Sequence, residues 1–495
     1  MIVKTERDEI QNYLKDASNF KGTCNAVYFP ESESDIISIL KEANKNNISV
    51  TIAGNRTGLT GAGVPNDGIV ISTEKLNKII VINKEEKFVQ LEPGVILSDL
   101  QNELKQHQLF YPPDPTETTC FLGGTVATNA SGARTFKYGP TRDYVFGLTI
   151  LLADGNKLNL ERGKNKTKGN QLILLTVKGE KIIINLPEIN LSNTKNASGY
   201  YCKKDMDAID LFIGSEGTLG VITNIKLKVL PMPKSKILSV VFFKNELYGL
   251  NFIKKARDYS VLNKKEHTDD RINALALEYF DKGSLEFLQE DFVNIPANCQ
   301  CAVWFEQEIN NGNEDLLINK WVELIRSCKG SEENCWFAFN EKEEQKIRDF
   351  RHAISEKINE YMAGKKFRKL GTDVAVPHNC FEELYNYAKN ITEKEKIKYV
   401  NYGHFGNSHM HFNFLPENEK QYEKAKKLYY LISKKAISLN GTVSAEHGIG
   451  KSKTHLLVEM LGEKTIGKMF EIKKTLDPNL ILGRGNLFNS LLFYK

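Results

Sequence analysis

Between residues 32 and 46, Ile36, Ile37, Leu40 and Ala43 recur at helical spacing, and Ser32 and Asp35 are spaced like a capping box, which predicts a surface helix. The run 48 to 54 (ISVTIAG) is β-rich, 54 to 68 (GNRTGLTGAGVPNDG) reads as a loop, and 69 to 73 (IVIST) as a second short strand. A third strand, VITNIKLKV, alternates cleanly behind the loop GSEGTLG within residues 210 to 231. From about Pro233 the texture changes. Strand-like runs at 237 to 243, 271 to 280 and 300 to 306 alternate with amphipathic helices near 245 to 259, 314 to 328 and 341 to 363, an α+β pattern that predicts a sheet with helices on one face. Residues 156 to 198 are polar and rich in Lys and Asn, and read as an exposed hairpin with loops.

Three small-residue stretches sit beside this β-structure in the first half. The glycines at 54, 58, 61 and 63 lead into a strand and lack the GxGxxG-to-helix order of a dinucleotide-binding turn, which disfavours a nicotinamide fold. The loop offers either a nest of backbone N–H groups for a phosphate or a plain glycine-rich hairpin turn. Residues 111 to 145 begin with a stiff proline segment and continue through Gly123, Gly124, Ala127, Ala130, Gly132 and Ala133, a density that lets backbone approach a broad planar ligand. The loop before VITNIKLKV is the third stretch.

At 495 residues and 41% apolar content, the chain can bury a large core in two domains. A formal charge of only +5, with scattered basic residues, argues against nucleic acid. The charged start has no apolar core segment of a signal peptide, so a cytoplasmic protein is expected. The most apolar runs, such as ILSVVFF at 237 to 243, are strand-length, so no transmembrane segment is expected and membrane contact would be peripheral. The eight cysteines form no compact framework and read as free thiols. Cys299 and Cys301 are expected on one face of a strand, with core packing favoured over a redox pair.

The concentrated chemistry lies later, where three of the nine histidines fall within GHFGNSHMHFN, residues 403 to 413. HMHFNF alternates strictly, so in a strand His409, His411 and Asn413 face one side while Met410, Phe412 and Phe414 pack on the other. Gly403, Gly406, Asn407 and Ser408 allow a turn that swings His404 back toward that polar face. In TVSAEHGIGKSK, Glu446 and His447 sit side by side in a small-residue turn. Two neutral imidazoles and a carboxylate with an open position suit a divalent ion, zinc first, with manganese or iron as alternatives. A metal-dependent hydrolase could use the same set, but would leave the three flat-ligand stretches unexplained.

Taken in order, AGNRTGLTGAGVP, PPDPTETTCFLGGTVATNASGARTFKYGPTRDYVFGLTILLADG, GSEGTLGVIT, GHFGNSHMHFNF and SAEHGIG resemble the flavoproteins of the vanillyl-alcohol oxidase/p-cresol methylhydroxylase (PCMH) superfamily. Within it they are similar to the branch holding D-lactate dehydrogenases, D-2-hydroxyglutarate dehydrogenases and the flavin subunit of glycolate oxidase. The resemblance implies an α+β protein with three parts: a two-subdomain FAD-binding module over residues 1 to 233, an α+β substrate cap over 234 to 440, and a C-terminal segment, 441 to 495, returning to the flavin and metal site. It assigns Gly54, Arg56, Thr57, Gly58, Leu59 and Thr60 to the FAD pyrophosphate. Pro113, Asp114, Gly123, Gly124, Asn129, Ser131, Gly132, Tyr138 and Gly139 fall along the flavin and ribityl chain, and Glu216, Gly220, Val221 and Ile222 on the adenine side. The first loop lacks the histidine that often holds flavin covalently in relatives, so non-covalent FAD is expected.

The same resemblance makes His404, His411 and Glu446 metal ligands, Asn413 and His447 substrate-side residues, and Arg351 the partner of a substrate carboxylate. The implied reaction is oxidation of a D-2-hydroxy acid to a 2-oxo acid. The metal takes the substrate hydroxyl, His447 removes its proton, and hydride passes from C2 to the flavin. Departures from the pattern narrow this reading. GNSHMH stands where many relatives have GDGNLH, leaving His409 as an extra ligand, a substrate contact or a charge-tuning neighbour. Gly371 stands where 2-hydroxyglutarate enzymes tend to carry lysine, which favours a small substrate such as D-lactate. D-2-hydroxyglutarate, glycolate, or a role as the flavin subunit of a larger complex are the alternatives. LGRGNLF replaces a common NPGK near the C-terminus, so how Arg484 and Asn486 meet the flavin stays open. No ferredoxin-like cysteine set follows, so electrons are expected to leave to a separate acceptor such as a quinone, an electron-transfer flavoprotein or another redox protein.

Overall fold

The computed structural model describes residues 1–189, 193–266, 270–310, 312–365 and 367–488. The helix read from residues 32 to 46 forms as Glu33–Lys45, with the Ser32 side chain accepting from the Asp35 N–H. It buries Ile36, Ile39, Leu40 and Ala43, so Ile39 takes the core position expected of Ile37, which is only half-buried. The strands Val50–Ala53 and Ile69–Ser72 pair in parallel, as do Ala26–Phe29 and Ile69–Ser72. A hairpin loop would make its strands antiparallel. The glycine-rich segment 54–68 therefore crosses from the end of one strand to the start of its parallel neighbour, where its backbone is free of ladder pairing.

A second, antiparallel sheet has five strands in the order Ile79–Asn83, Phe88–Leu91, Val221–Lys228, Val145–Leu151, Lys157–Glu161. The polar stretch after it does form a hairpin, Gln171–Leu175 with Lys181–Asn185; residues 190 to 192 of that stretch lie outside the described residues.

The third sheet runs Cys335–Phe337, Ser235–Phe243, Cys301–Ile309, Ala276–Asp281, Tyr399–Gly403, His409–Phe414, Leu370–Gly371, with Val374–Ala375 also paired to His409–Phe414. Its helices lie on both faces, contrary to the one-sided arrangement expected. Ser235–Phe243 is buried continuously from Ile237 onward, so both of its faces need an apolar cover. Ile237, Val241 and Phe243 pack with Phe252, Trp321, Leu384 and Ile432 from four helices. Leu238, Val240 and Phe242 pack with Phe350, Ile354 and Ile358 of Glu341–Ala363. Cys299 and Cys301 likewise fall into opposite clusters, because Cys299 precedes the strand that starts at Cys301. Both are free thiols, separated by the sheet.

Contacts at several junctions tie the first half of the chain to the rest. Near the C-terminus, the Val50 N–H donates to Ile481 O and the Gly483 N–H to Val50 O, while Ile481 and Leu482 enter the core behind the first sheet. At another junction the buried Glu306 carboxylate receives the Arg134 guanidinium at 2.9 and 3.2 Å and the Lys236 ammonium at 3.0 Å. Burial opposes ionisation of Glu306, but those two cations hold its carboxyl far below the usual range. Removing one member of such a buried cluster leaves the others uncompensated. Glu306→Gln is therefore expected to lower unfolding stability by about 3–5 kcal/mol in chemical denaturation at pH 7. Because the folded-state pKa is depressed, this contribution is present in full above the ordinary glutamate range and is lost progressively as pH falls below that range through the depressed folded value. The gap between variant and wild type should accordingly shrink toward acid pH.

Candidate functional site

The polar face of His409–Phe414 is the floor of the site. Met410, Phe412 and Phe414 are buried in one hydrophobic cluster, which turns His409, His411 and Asn413 to the opposite side. A short 3-10 turn, Phe405–Asn407, ending with Ser408 at φ +53°, brings His404 back over this face, its ring centroid 5.5 Å from that of His411 and 5.2 Å from that of His409. The turn carrying Glu446 and His447 closes the other side. One ligand atom from each of His404, His409, His411 and Glu446 lies within 4.8 Å of the other three. A second set, Asp373, His411 and His447, meets the same distance.

The imidazoles are held from behind. His404 Nδ1 contacts Glu278 Oε1 at 2.7 Å and its Nε2 faces Glu446 Oε2 at 3.2 Å. His411 Nδ1 contacts Thr372 O at 3.2 Å, leaving its Nε2 3.6 Å from the same Glu446 oxygen. Glu446 also pairs with Lys195 and accepts from Ser131 Oγ at 3.2 Å, so residues of the first half of the chain reach into the cluster. Burial opposes ionisation of Glu446, yet His404 and Lys195 keep its carboxyl well below the ordinary value. Burial likewise opposes the His404 charge, but Glu278 and Glu446 outweigh it and raise the imidazole's pKa. A cation bound here would displace that proton. Two imidazoles and a carboxylate with their lone pairs converging are a donor set that fits a divalent ion.

His447 lies beside this set, its ring 5.4 Å from that of His411 and nearly parallel to it. Its Nδ1 is 3.3 Å from Asp373 Oδ2. Burial is the larger effect on its pKa and brings it down to about 4 despite the carboxylate, so the ring is neutral near pH 7 with Nε2 as its free acceptor. Arg351 projects from Glu341–Ala363 with Nε 3.6 Å from Glu278 Oε2 and Nη1 3.3 Å from His352 Nε2. Asn413 donates to His411 O at 3.0 Å, and a Cβ on its strand partner Gly371 would come within 2.5 Å of Asn413 Oδ1.

The residues assigned to the cofactor divide by what they touch. The N–H groups of Arg56, Thr57, Gly58, Leu59 and Thr60 have no hydrogen-bond acceptor among the described residues, and Arg56 itself sits at φ +59° with its guanidinium on the Tyr13 ring. Consecutive unpaired N–H groups in a half-exposed loop fit a pyrophosphate. Gly54 packs against Gly124 and Phe121, and the space beyond Gly124 is open. A Cβ on Gly54 would lie 3.9 Å from Gly124 Cα, whereas one on Gly124 would meet nothing within 4 Å. The other positions are spent on the protein. Gly123 packs on Pro93, Gly132 on Asp114 and Gly220 on Ile150. Val221 is core, Ile222 packs on a neighbouring core and Pro113 is buried. Tyr138 bonds Glu308, Asn129 accepts from the Arg142 N–H, and Gly139 turns at φ +84°. Glu216 accepts from the Ile449 and Gly450 N–H groups, and Asn486 bridges Ala62 O, Glu216 O and Lys451. Arg484 instead donates to Leu480 O and Asn47. The unpaired N–H groups of residues 56–60 are the part of this set whose chemistry fits a cofactor, through its pyrophosphate.

Asp373, Glu278 and Lys195 are absent from the sequence reading as site residues. Each lies far along the chain from the histidines it serves, and no local motif marks it.

Comparison with known proteins gives the family. The profile of the FAD binding domain matches residues 24–161, and that of the FAD linked oxidases, C-terminal domain, residues 261–487. A D-lactate dehydrogenase of Anaerostipes hadrus is 30% identical over 97% of this chain and 93% of its own length. Glycolate oxidase subunit GlcD of Bacillus subtilis is 27% identical over 96% of this chain and 92% of its own. A D-2-hydroxyglutarate dehydrogenase of Stutzerimonas stutzeri is 24% identical over 98% and 96%. The crystal structure of an alkyldihydroxyacetonephosphate synthase shares the fold, with a TM-score of 0.67 at 16% identity over 97% of this chain and 81% of that one. The two domain matches and the whole-length relatives define a PCMH-type flavoprotein oxidoreductase. The chain belongs to the FAD-linked oxidases, in the group of dehydrogenases named for D-lactate, D-2-hydroxyglutarate and glycolate. Among the described residues no helix is long and apolar enough to cross a membrane.

Gly124 gives a test of where the cofactor lies. It lies inside the helix Leu122–Thr128 without positive φ, so Gly124→Leu should leave the flavin-free protein as stable or more stable by up to about 1 kcal/mol. The purified variant is expected to lose its flavin absorbance. Retention of flavin at wild-type occupancy would place the cofactor elsewhere.

Proposed function

We propose that the protein oxidises a D-2-hydroxy acid, D-lactate first among them, to the 2-oxo acid and passes the electrons to a separate redox partner. The observation that supports this most is the position of His447, a neutral imidazole whose ring lies beside the His404, His411 and Glu446 donor set. When bound, FAD supplies the hydride acceptor for C2 and a divalent cation supplies a Lewis acid for the substrate hydroxyl.

The chain's own residues supply the rest. Arg351 binds the substrate carboxylate through its guanidinium, with Glu278 3.6 Å from its Nε and His352 Nε2 3.3 Å from its Nη1. His447 Nε2 takes the hydroxyl proton, while Asp373 holds the Nδ1 side of the ring and stabilises the imidazolium that forms. Asn413 holds its Nδ2–H on His411 O, and its Oδ1 lies over Gly371. Gly371 lies beside Asn413, so the wall has no cation there for a second carboxylate. That favours a short acid over 2-hydroxyglutarate.

Anaerobic addition of D-lactate to the flavin-loaded enzyme should bleach the flavin bands, and L-lactate should not. Bleaching by D-2-hydroxyglutarate or glycolate but not by D-lactate would overturn the substrate choice while keeping the reaction class. His447→Asn is expected to slow flavin reduction roughly 10²–10⁴-fold with substrate binding retained. Arg351→Met should raise KM for the acid roughly 10- to 100-fold, the loss of a charged hydrogen-bonded contact of about 1.5–3 kcal/mol.

A further inference from the structure

The geometry points to His409 as a fourth protein ligand of the metal centre, giving three imidazoles and one carboxylate. This rests on the metal-assisted reading above and adds a residue to it. The side chain of His409 is fully buried. A buried imidazole must satisfy both ring nitrogens or lose the hydrogen bonds it had in water. His409 satisfies one. Its Nε2–H donates to Asp373 Oδ1 at 2.9 Å, while Nδ1 has no hydrogen-bond partner.

The tautomer follows from the acceptor. With the proton on Nε2 facing a carboxylate, Nδ1 carries the lone pair, the arrangement in which a histidine binds metal with a carboxylate behind it. The same logic holds around the cluster. His404 and His411 each have one nitrogen against an oxygen, Glu278 Oε1 and Thr372 O, and the other facing Glu446. His409 is the third ring of that design, its centroid 4.3 Å from that of His411, and it offers a ligand atom within 4.8 Å of those of His404, His411 and Glu446.

Asp373 is not the competing ligand, although it also stands within reach of His411 and His447. Both of its oxygens are already engaged. Oδ1 accepts from His409 and from the Glu446 N–H at 3.2 Å, and Oδ2 from Ser444 Oγ at 2.7 Å, Lys453 Nζ at 2.8 Å and the His447 N–H at 3.0 Å. It anchors the ring that binds. Four protein ligands also change the demand on the ion. A zinc site with three protein ligands keeps a fourth place open, whereas here a substrate oxygen must enter as a fifth ligand.

The test uses flavin-loaded protein stripped with a chelator and titrated with Zn²⁺ and with Co²⁺. X-ray absorption of the wild-type Zn²⁺ form should count three imidazoles. His409→Asn should bind Zn²⁺ roughly 10- to 100-fold more weakly in competition with a chromophoric chelator. It should also shift the visible bands of the Co²⁺ form, with flavin content unchanged. Two imidazoles in the wild type, or an unchanged affinity and Co²⁺ spectrum in the variant while His404→Asn and His411→Asn lose metal, would overturn the role of His409 alone. Failure of the wild type to take up either ion would overturn the metal reading and this one with it.

Discussion

The site depends on one buried carboxylate. Asp373 has no exposed side-chain surface, and a lone carboxylate in that position would cost several kcal/mol. Burial works against its charge, but His447 and Lys453 beside it and the hydrogen bond from His409 hold its carboxyl well below the ordinary range. The donors come from two separate pieces of chain. His409 belongs to the strand paired with Val374–Ala375, and Ser444, Glu446, His447 and Lys453 to the turn that follows residue 440. Asp373 thus fixes the turn to the strand, and with it the distance between the two halves of the donor set.

The same economy governs the junctions with the first half of the chain. Glu446 meets Ser131 and Lys195, and Glu216 takes the N–H groups of Ile449 and Gly450. Gly450 sits at φ +50° with a would-be Cβ only 2.3 Å from Thr60 O, at the end of the nest assigned to the pyrophosphate. A single turn therefore touches the loop 54–60 on one side and carries Glu446 and His447 on the other. Such contacts account for how a flat ligand bound by the first half can lie against a substrate bound by the second.

How much of this was legible in the sequence depended on range. Period-two alternation in HMHFNF placed His409, His411 and Asn413 on one face because the opposite face must be buried, and the structure packs Met410, Phe412 and Phe414 there. Ser32 and Asp35 marked a helix start because capping is local. The glycine loop left two readings open, and parallel pairing of its flanking strands, a tertiary fact, removes the hairpin turn. Helices on both sides of the third sheet were missed because a continuously apolar strand was read without asking what covers its second face. Asp373, Glu278 and Lys195 carry no local signal. Their roles come from register between strands and from a contact between distant segments.

The most direct measurement is anaerobic, rapid-mixing flavin reduction by D-lactate in Asp373→Asn beside the wild type. The change keeps the shape and removes the charge that holds His409, His447 and Lys453. The account predicts a folded protein with its flavin retained, metal uptake weakened and D-lactate-dependent bleaching slowed by orders of magnitude. Bleaching at the wild-type rate in that variant would contradict it.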